Sequence, residues 1–436
     1  MTPSELVALV CCDLGAIVRG RSLPASELDG QCESGVGWVP ANHALTPIGS
    51  LAEPNPFGST GDLRLLPDLD THVRVPAPAG ESALEFVLCD IAETDGRPWE
   101  CCPRSFLRRG LEQLDAQLGL RLVASFEHEF QLLGDAPGAL PFSLEAQRRA
   151  EPFPSEVIGA LQEAGVAPER FLAEYAAHQF EIPVEPAEGL AAADRAVVLR
   201  EVVREVARRG GVRASFAPLL DPAEAGNGVH IHLSLLDGDG RPALYDPSRP
   251  ACLSELGGRF AAGVLLHAEA LCALCAPSPA SAARLTPHRW SAGAVCLARQ
   301  NREALLRIPP LVASSGEHGS QMRLEYRGAD ATANPYLALG AIVRAGLDGV
   351  RSQLAAAPIL EGDPARLEDA EAARWRVGAL PASLADALQA LARDETARGW
   401  MTPLLYDAYL AVKRAEIDAA ANLDLDEVCR RYAAIY

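Results

Sequence analysis

The stretch Phe126-Glu127-His128-Glu129-Phe130 constrains this chain most, because it sets two carboxylates two positions apart inside a run, Leu120 to Leu133, that otherwise reads as a buried strand. Side chains alternate faces along a strand, so Glu127 and Glu129 point the same way. Two like charges on one half-buried face repel and lose hydration, a cost that cations between them offset. The pattern predicts a metal, although taken alone it also fits a strand with one wet face. Two further runs carry the same alternation. Gly228-Val229-His230-Ile231-His232-Leu233-Ser234 puts His230, His232 and Ser234 on one face and Val229, Ile231 and Leu233 on the other. Arg323-Leu324-Glu325-Tyr326-Arg327 aims Arg323, Glu325 and Arg327 together. Carboxylates with imidazole suit hard cations, and guanidinium forks suit phosphates or carboxylates.

At 436 residues and 49% hydrophobic, the chain is long enough for more than one domain and a large core. A net charge of −19 argues against a nucleic-acid partner, which is bound through Lys and Arg contacts to phosphates. The first twenty residues carry Glu5 and Asp13 and no basic leader, and the apolar run from Phe260 to Ala276 is too short for a bilayer. A cytoplasmic protein with no membrane partner is expected. Eleven cysteines lack paired metal-ligand spacing, so reduced thiols are expected, with Cys272 and Cys275 packing a core helix.

Read in order, Leu6 to Leu23 is strand-like and broken by a turn at Asp13-Leu14-Gly15. A Gly/Pro-rich passage from Gly35 to Asp62 reads as a long loop or strap, and strands follow at Asp62–Asp68 and Ala83–Asp90. Residues 1–98 thus form a small, mostly β unit and residues 99–436 a second domain. Pro103 opens a helix that Gly119 stops. Helices are also expected near 155–164, 193–209 and 256–276, and throughout the chain after Asn334, with Ser383 as a cap. Strands interleaved with helices without regular βαβ spacing predict α+β architecture with an antiparallel sheet.

The order Glu-x-Glu, then Glu174 and Glu181 around Gln179-Phe180, then Gly-x-His-x-His, Asn301-Arg302 with Arg307, Arg-x-Glu-x-Arg and Ala333-Asn334-Pro335-Tyr336-Leu337 resembles the glutamine synthetase family. The likeness spans Asp13 to Leu384. It implies an N-terminal β-grasp domain, a catalytic domain with a curved antiparallel sheet and flanking helices, and a homo-oligomer of stacked rings, a dodecamer, with each active site between neighbouring subunits. By the same resemblance, one metal site uses Glu129, Glu174 and Glu181, and another Glu127, His230 and Glu325. Two or three Mg²⁺ or Mn²⁺ ions per site are expected, since five carboxylates and one imidazole do not make a zinc site. Arg284, Arg327 and the backbone at Gly226 would hold glutamate or a similar amino acid. His232, Ser234, Arg307 and Arg323 would face the phosphates of ATP, the co-substrate. Asp13, Glu174, Arg302 and Trp290 would complete the catalytic set, with Asp13 reaching a neighbour's site.

Ammonia-using relatives keep a glutamate three residues past the proline of Arg-Leu-x-Pro, and here that position is Trp290. An indole face attracts organic ammonium groups. Phe142 stands in place of a family tyrosine, and His178 in place of a glycine. The resulting expectation is a γ-glutamyl amide made from an amine bearing carbon. Two other readings stay open: an ammonia-dependent glutamine synthetase, and a non-catalytic ring-forming relative.

Overall fold

A computed structural model of the chain describes residues 5–78, 80–134, 138–289, 291–315 and 317–436; Trp290 lies outside them. The expected turn after Cys12 joins β1 (Leu6–Cys12) to β2 (Val18–Pro24) as an antiparallel hairpin. With β3 (Val36–Trp38), β4 (Leu63–Pro67), β5 (Val73–Val75) and β6 (Leu84–Glu93), these strands form a first sheet. Its order is β2-β1-β6-β4-β3, and β5 pairs with β6. β1 and β6 run parallel, so the connection between them crosses over the sheet. Part of that connection is the Gly/Pro-rich passage, in which β3 and a 3-10 turn at Pro40–Ala44 are the main regular pieces.

The helix Pro103–Leu118 follows and ends at Gly119, whose φ of 64° is the left-handed cap that glycine adopts without a Cβ clash. Its Arg104 ties the two parts of the molecule together. The buried guanidinium donates to both oxygens of Asp194, at 3.0 and 2.9 Å, and to Asp68 just after β4, at 2.6 Å. Tyr336 adds a hydrogen bond to Asp194 at 2.6 Å.

The second sheet is built on β7 (Arg121–Leu133), the strand read first from the sequence. With it come β8 (Leu172–Ala173), β9 (Gln179–Ile182), β10 (Ala187–Glu188), β11 (Arg213–Ser215), β12 (Val229–Leu236), β13 (Ala294–Arg299), β14 (Ala304–Ile308), β15 (Leu324–Ala329) and β16 (Ile359–Leu360). The order is β16-β13-β14-β15-β12-β7-β9-β8, with β10 and β11 also on β7. The expected antiparallel pairing holds around the centre, but β13 runs parallel to β14 and β16 at one edge. Helices cover the sheet, among them Gly189–Arg209 and Pro335–Arg351. The architecture is α+β.

One expected helix is two. The 256–276 pattern breaks at His267, giving Glu255–Leu266 and Ala268–Cys275 bent by 74°. The cause is visible at the break, where the His267 imidazole lies 2.6 Å from Asp394 and 3.2 Å from Asp348 and pins the corner to two other segments. Among the described residues no single helix is long and apolar enough to cross a membrane. All eleven cysteines are free thiols, and burial raises Cys272 to about 12, which suits packing rather than redox chemistry.

Candidate active site on the second sheet

Cross-strand register assembles the site. In β7, β9 and β12, Glu127 lies opposite His230 and Glu129 opposite Glu181. On the other side of β12, His232 lies opposite Glu325, which in turn faces Arg307 of β14. The alternation that put these groups on one face of each strand therefore lines them up across neighbouring strands.

Two clusters result. Ligand atoms of Glu127, His230 and Glu325 lie within 4.8 Å of one another, and so do those of Glu129, Glu181 and His230. The His230 ring is shared, with Nδ1 3.5 Å from Glu127 and 4.0 Å from Glu181, and Nε2 4.0 Å from Glu129. The first cluster matches the expected set. In the second, His230 occurs where Glu174 was expected, and Glu174 stands just after β8 outside both clusters.

Carboxylates crowd the Glu129–Glu181 side of this face. Burial, then Glu127, Glu129 and Glu174, push the Glu181 carboxyl well above its usual range. Glu174 is raised to about 8 by burial and by Glu129, with Arg302 acting in the opposite direction. Burial alone would also raise Glu127, but the imidazoles of His232 and His230 overcome it and hold that carboxyl well below its usual range. Repelling carboxylates with one imidazole offer oxygen-rich donor sets that fit hard divalent cations.

The arginines are placed by backbone as much as by charge. Arg284 is buried and donates to the Ala329 carbonyl at 2.6 Å. A Cβ at Gly228 would lie 2.8 Å from its Nη1, and one at Gly226 would lie 2.8 Å from its Cγ, so both glycines make room for this side chain. Arg327 donates to Glu325 and to the Arg302 carbonyl, and Arg307 donates to the other Glu325 oxygen at 2.5 Å. Burial opposes ionisation of Glu325, yet Arg327, His232, His230 and Arg307 lower it to about 2. Arg323 Nε donates to His232 Nδ1 at 3.1 Å, while His232 Nε2 lies 3.0 Å from Glu127. Arg302 is exposed and lines a cavity of about 460 Å³ with His288, Asn301 and Glu303. Ser234 donates to the Met322 carbonyl at 2.8 Å and lines a second cavity of about 640 Å³ with Tyr245 and His318.

Asp13, expected in the catalytic set, is held at the β1–β2 turn. It is 1% exposed and spent within its own chain, its Oδ1 accepting from the amides of Gly15 and Ile17 and its Oδ2 from Arg19 at 2.5 Å. A carboxylate so enclosed fastens the β1–β2 turn. Sequence reasoning missed two residues. Gln179 Nε2 donates to the Gly226 carbonyl at 2.9 Å and to Asn227 Oδ1 at 3.0 Å, and Asn227 Nδ2 donates to the Ala217 carbonyl at 2.8 Å. The available signal was an amide beside each motif, one before Phe180-Glu181 and one between two glycines.

Beside Glu174, Tyr175 meets Phe142 edge to face at 4.9 Å, and both rings are exposed, at 45% and 55%. His178 adopts φ 54°, a left-handed conformation that glycine enters most freely.

Residues 100–427 match the glutamine synthetase catalytic domain, and residues 1–99 the glutamine synthetase N-terminal domain. The chain is 35% identical to the γ-glutamylpolyamine synthetase GlnA3 of Streptomyces coelicolor, over 98% of this chain and 92% of that protein. It is 31% identical to the glutamine synthetase of Methanocaldococcus jannaschii, over 82% of this chain and 80% of the relative. Among solved structures, a novel glutamine synthase homolog superposes with a TM-score of 0.92 at 49% identity, covering 100% of this chain and 99% of the other. Apo GmaS does so with a TM-score of 0.83 at 27% identity, covering 97% and 95%.

Proposed function

This chain belongs to the glutamine synthetase family of carbon–nitrogen ligases, which use ATP and divalent metals, and we propose that it joins glutamate to an organic amine as a γ-glutamyl amide. The observation that carries the choice of amine is the exposed Phe142–Tyr175 ring pair beside Glu174, an apolar and aromatic border suited to a carbon-bearing ammonium. The indole that the sequence puts at Trp290, where ammonia-using relatives keep a carboxylate, points the same way. So does the likeness to a γ-glutamylpolyamine synthetase.

Glu127, His230 and Glu325 would hold one Mg²⁺ or Mn²⁺ and Glu129, Glu181 and His230 another, ions that neutralise phosphoryl charge when bound. ATP would lie toward the cavity at Ser234, with His232, Arg307 and Arg323 facing its phosphates. Arg284, Arg327 and the Gly226 backbone would orient glutamate. A γ-carboxylate oxygen takes the terminal phosphoryl group and ADP leaves, with Arg302 stabilising the charge that develops. The amine nitrogen then attacks the acyl carbon, the bond to phosphate breaks, and inorganic phosphate departs. Glu174, next to the ring pair, would accept the proton lost by the ammonium. Division of the chain near residue 98, and assembly into rings, belong to the same proposal.

The test is phosphate release from ATP, Mg²⁺ and glutamate with ammonium or with a panel of mono-, di- and polyamines. Faster turnover with at least one amine than with ammonium is expected. Faster turnover with ammonium than with every amine would overturn the assignment, as would no turnover with any nitrogen donor.

A further inference from the structure

Behind the acidic face, between β7, β12 and the segment that follows β15, lies a small cavity lined by His128, Arg200 and Asp330 among apolar side chains such as Phe126 and Ile231. The three polar residues are 3%, 1% and 1% exposed. Most of their hydrogen-bonding capacity is used. Arg200 donates to the carbonyls of Ala331 at 2.7 Å and Ala16 at 2.9 Å. Asp330 Oδ1 accepts from the Thr332 amide at 2.9 Å and the Thr332 hydroxyl at 2.5 Å. His128 is packed between the rings of Phe126 and Phe216.

Three atoms are left without a hydrogen-bond partner among the described residues: Arg200 Nε, Asp330 Oδ2 and His128 Nδ1. Orphaned polar atoms this deeply buried are rare, and three of them on residues that line one cavity point to a shared ligand. Their chemistry defines it. Arg200 Nε–H is a donor, Asp330 Oδ2 an acceptor, and His128 Nδ1 an acceptor when the ring proton is on Nε2. One donor and two acceptors complement a water molecule, which accepts one hydrogen bond and donates two. The cavity offers about 10 Å³ for the centre of a water-sized sphere, room for one molecule. A guanidinium and a carboxylate together carry no net charge, so neither an anion nor a cation is favoured.

We propose that one ordered water bridges Arg200, Asp330 and His128 and fixes the spacing between the Glu127–Glu129 strand and the segment that carries Ala329. His128 lies between the two glutamates in sequence and points to the opposite face of β7. Asp330 follows Ala329, whose carbonyl holds Arg284 at 2.6 Å. The water therefore connects the back of the acidic strand to the support of the substrate arginine. That second part rests on the function proposed above, in which Arg284 binds glutamate; the water site itself does not. Asp330 is accordingly a positioning residue.

A crystal structure of the unmodified protein, at a resolution that shows ordered solvent, tests the site directly. The expected result is a single solvent peak within hydrogen-bonding distance of the three named atoms. An absent peak, or side chains repacked onto one another across the cavity, overturns the site. The positioning role is tested by Asp330→Asn, with the glutamate KM, the ATP KM and kcat measured separately on protein that turns glutamate over. A rise in glutamate KM of about tenfold, larger than the change in kcat and without change in the ATP KM, supports it. No change, or an equal loss in all three, overturns it. Failure of the unmodified protein to use glutamate refutes the functional reading while leaving the solvent peak to decide the site.

Discussion

His230 of β12 faces Glu127 of β7 across the strand pair, with Nδ1 3.5 Å from Oε2, and the same ring closes a second group with Glu129 and Glu181. A single imidazole common to both clusters makes His230 the residue whose loss disturbs both. His230→Ala is expected to lower activity and Mn²⁺ affinity by at least about a hundredfold, since even outer partners of metal ligands are worth roughly 10–100-fold. Glu325→Gln would disturb one cluster only. Counting bound Mn²⁺ by electron paramagnetic resonance in the two variants checks this: His230→Ala should weaken both sites and Glu325→Gln one. Equal weakening of one site in both variants would refute the shared role.

The sequence made local features legible and left long-range ones open. The Pro103 helix, its Gly119 stop, the turn at Asp13 and the cap at Ser383 all follow from near neighbours, and each is found where expected. The outward face of Glu127 and Glu129 was legible because strand periodicity is local. Which residues would stand opposite them was not, because register is fixed by pairing between distant segments. Hence the second cluster contains His230 rather than Glu174. Arg307 and Arg327 carried the look of anion ligands, but only the fold shows both turned onto Glu325. The contacts of Asp13 were likewise not legible: its pairing with Arg19 and the amides of Gly15 and Ile17 appears only once the turn is folded.

Acid should destabilise the first domain through His43. This imidazole is fully enclosed, packs edge to face on Trp99 at 5.0 Å, and has neither ring nitrogen hydrogen-bonded among the described residues. Burial, with a smaller contribution from Arg19, lowers its pKa from 6.5 to about 3. The folded chain therefore refuses a proton that the unfolded chain takes up. The contribution to stability is fully present above pH 6.5 and is lost progressively toward pH 3, at about 1.4 kcal/mol per pH unit for this one group. His43→Phe keeps a ring against Trp99 and removes the titration. Urea midpoints measured from pH 7 to pH 4 should fall less steeply in the variant; parallel slopes would contradict the assignment.

Lys413 is the only lysine in the chain, and it is fully buried 2.8 Å from Glu416, whose other oxygen accepts from Tyr432 at 2.6 Å. An amine-directed reagent should leave this side chain unmodified in the folded protein and label it on unfolding, which peptide mass mapping reads directly. A ligase that activates a carboxyl group for attack by amines thus presents no ε-amine of its own. Lys413→Met should cost roughly 3–5 kcal/mol, because it strands a buried carboxylate. Adding Glu416→Gln removes that charge while leaving Tyr432 an acceptor, and should recover most of the loss in thermal unfolding. No recovery in the double variant would show that packing, not charge, sets the cost.

Gly228 offers a way to separate binding from folding at the site. Its amide donates to Glu129 at 2.7 Å, and its φ is not one reserved for glycine. The obstacle to a side chain is instead Arg284 Nη1, 2.8 Å from where a Cβ would stand, with His230 Nε2 at 3.3 Å. At Gly226 the nearest obstacle is the Pro218 carbonyl at 2.2 Å, which is backbone and cannot yield cheaply. The head of an arginine can turn aside, so Gly228→Ala should fold and displace the guanidinium, whereas Gly226→Ala should lose stability. If Arg284 binds the amino-acid substrate, Gly228→Ala should raise the glutamate KM about tenfold, equivalent to about 1.4 kcal/mol, with kcat within about twofold and the melting temperature little changed. Gly226→Ala should instead lower the melting temperature by several degrees. An unchanged glutamate KM in a well-folded Gly228→Ala protein would place the acid substrate away from Arg284.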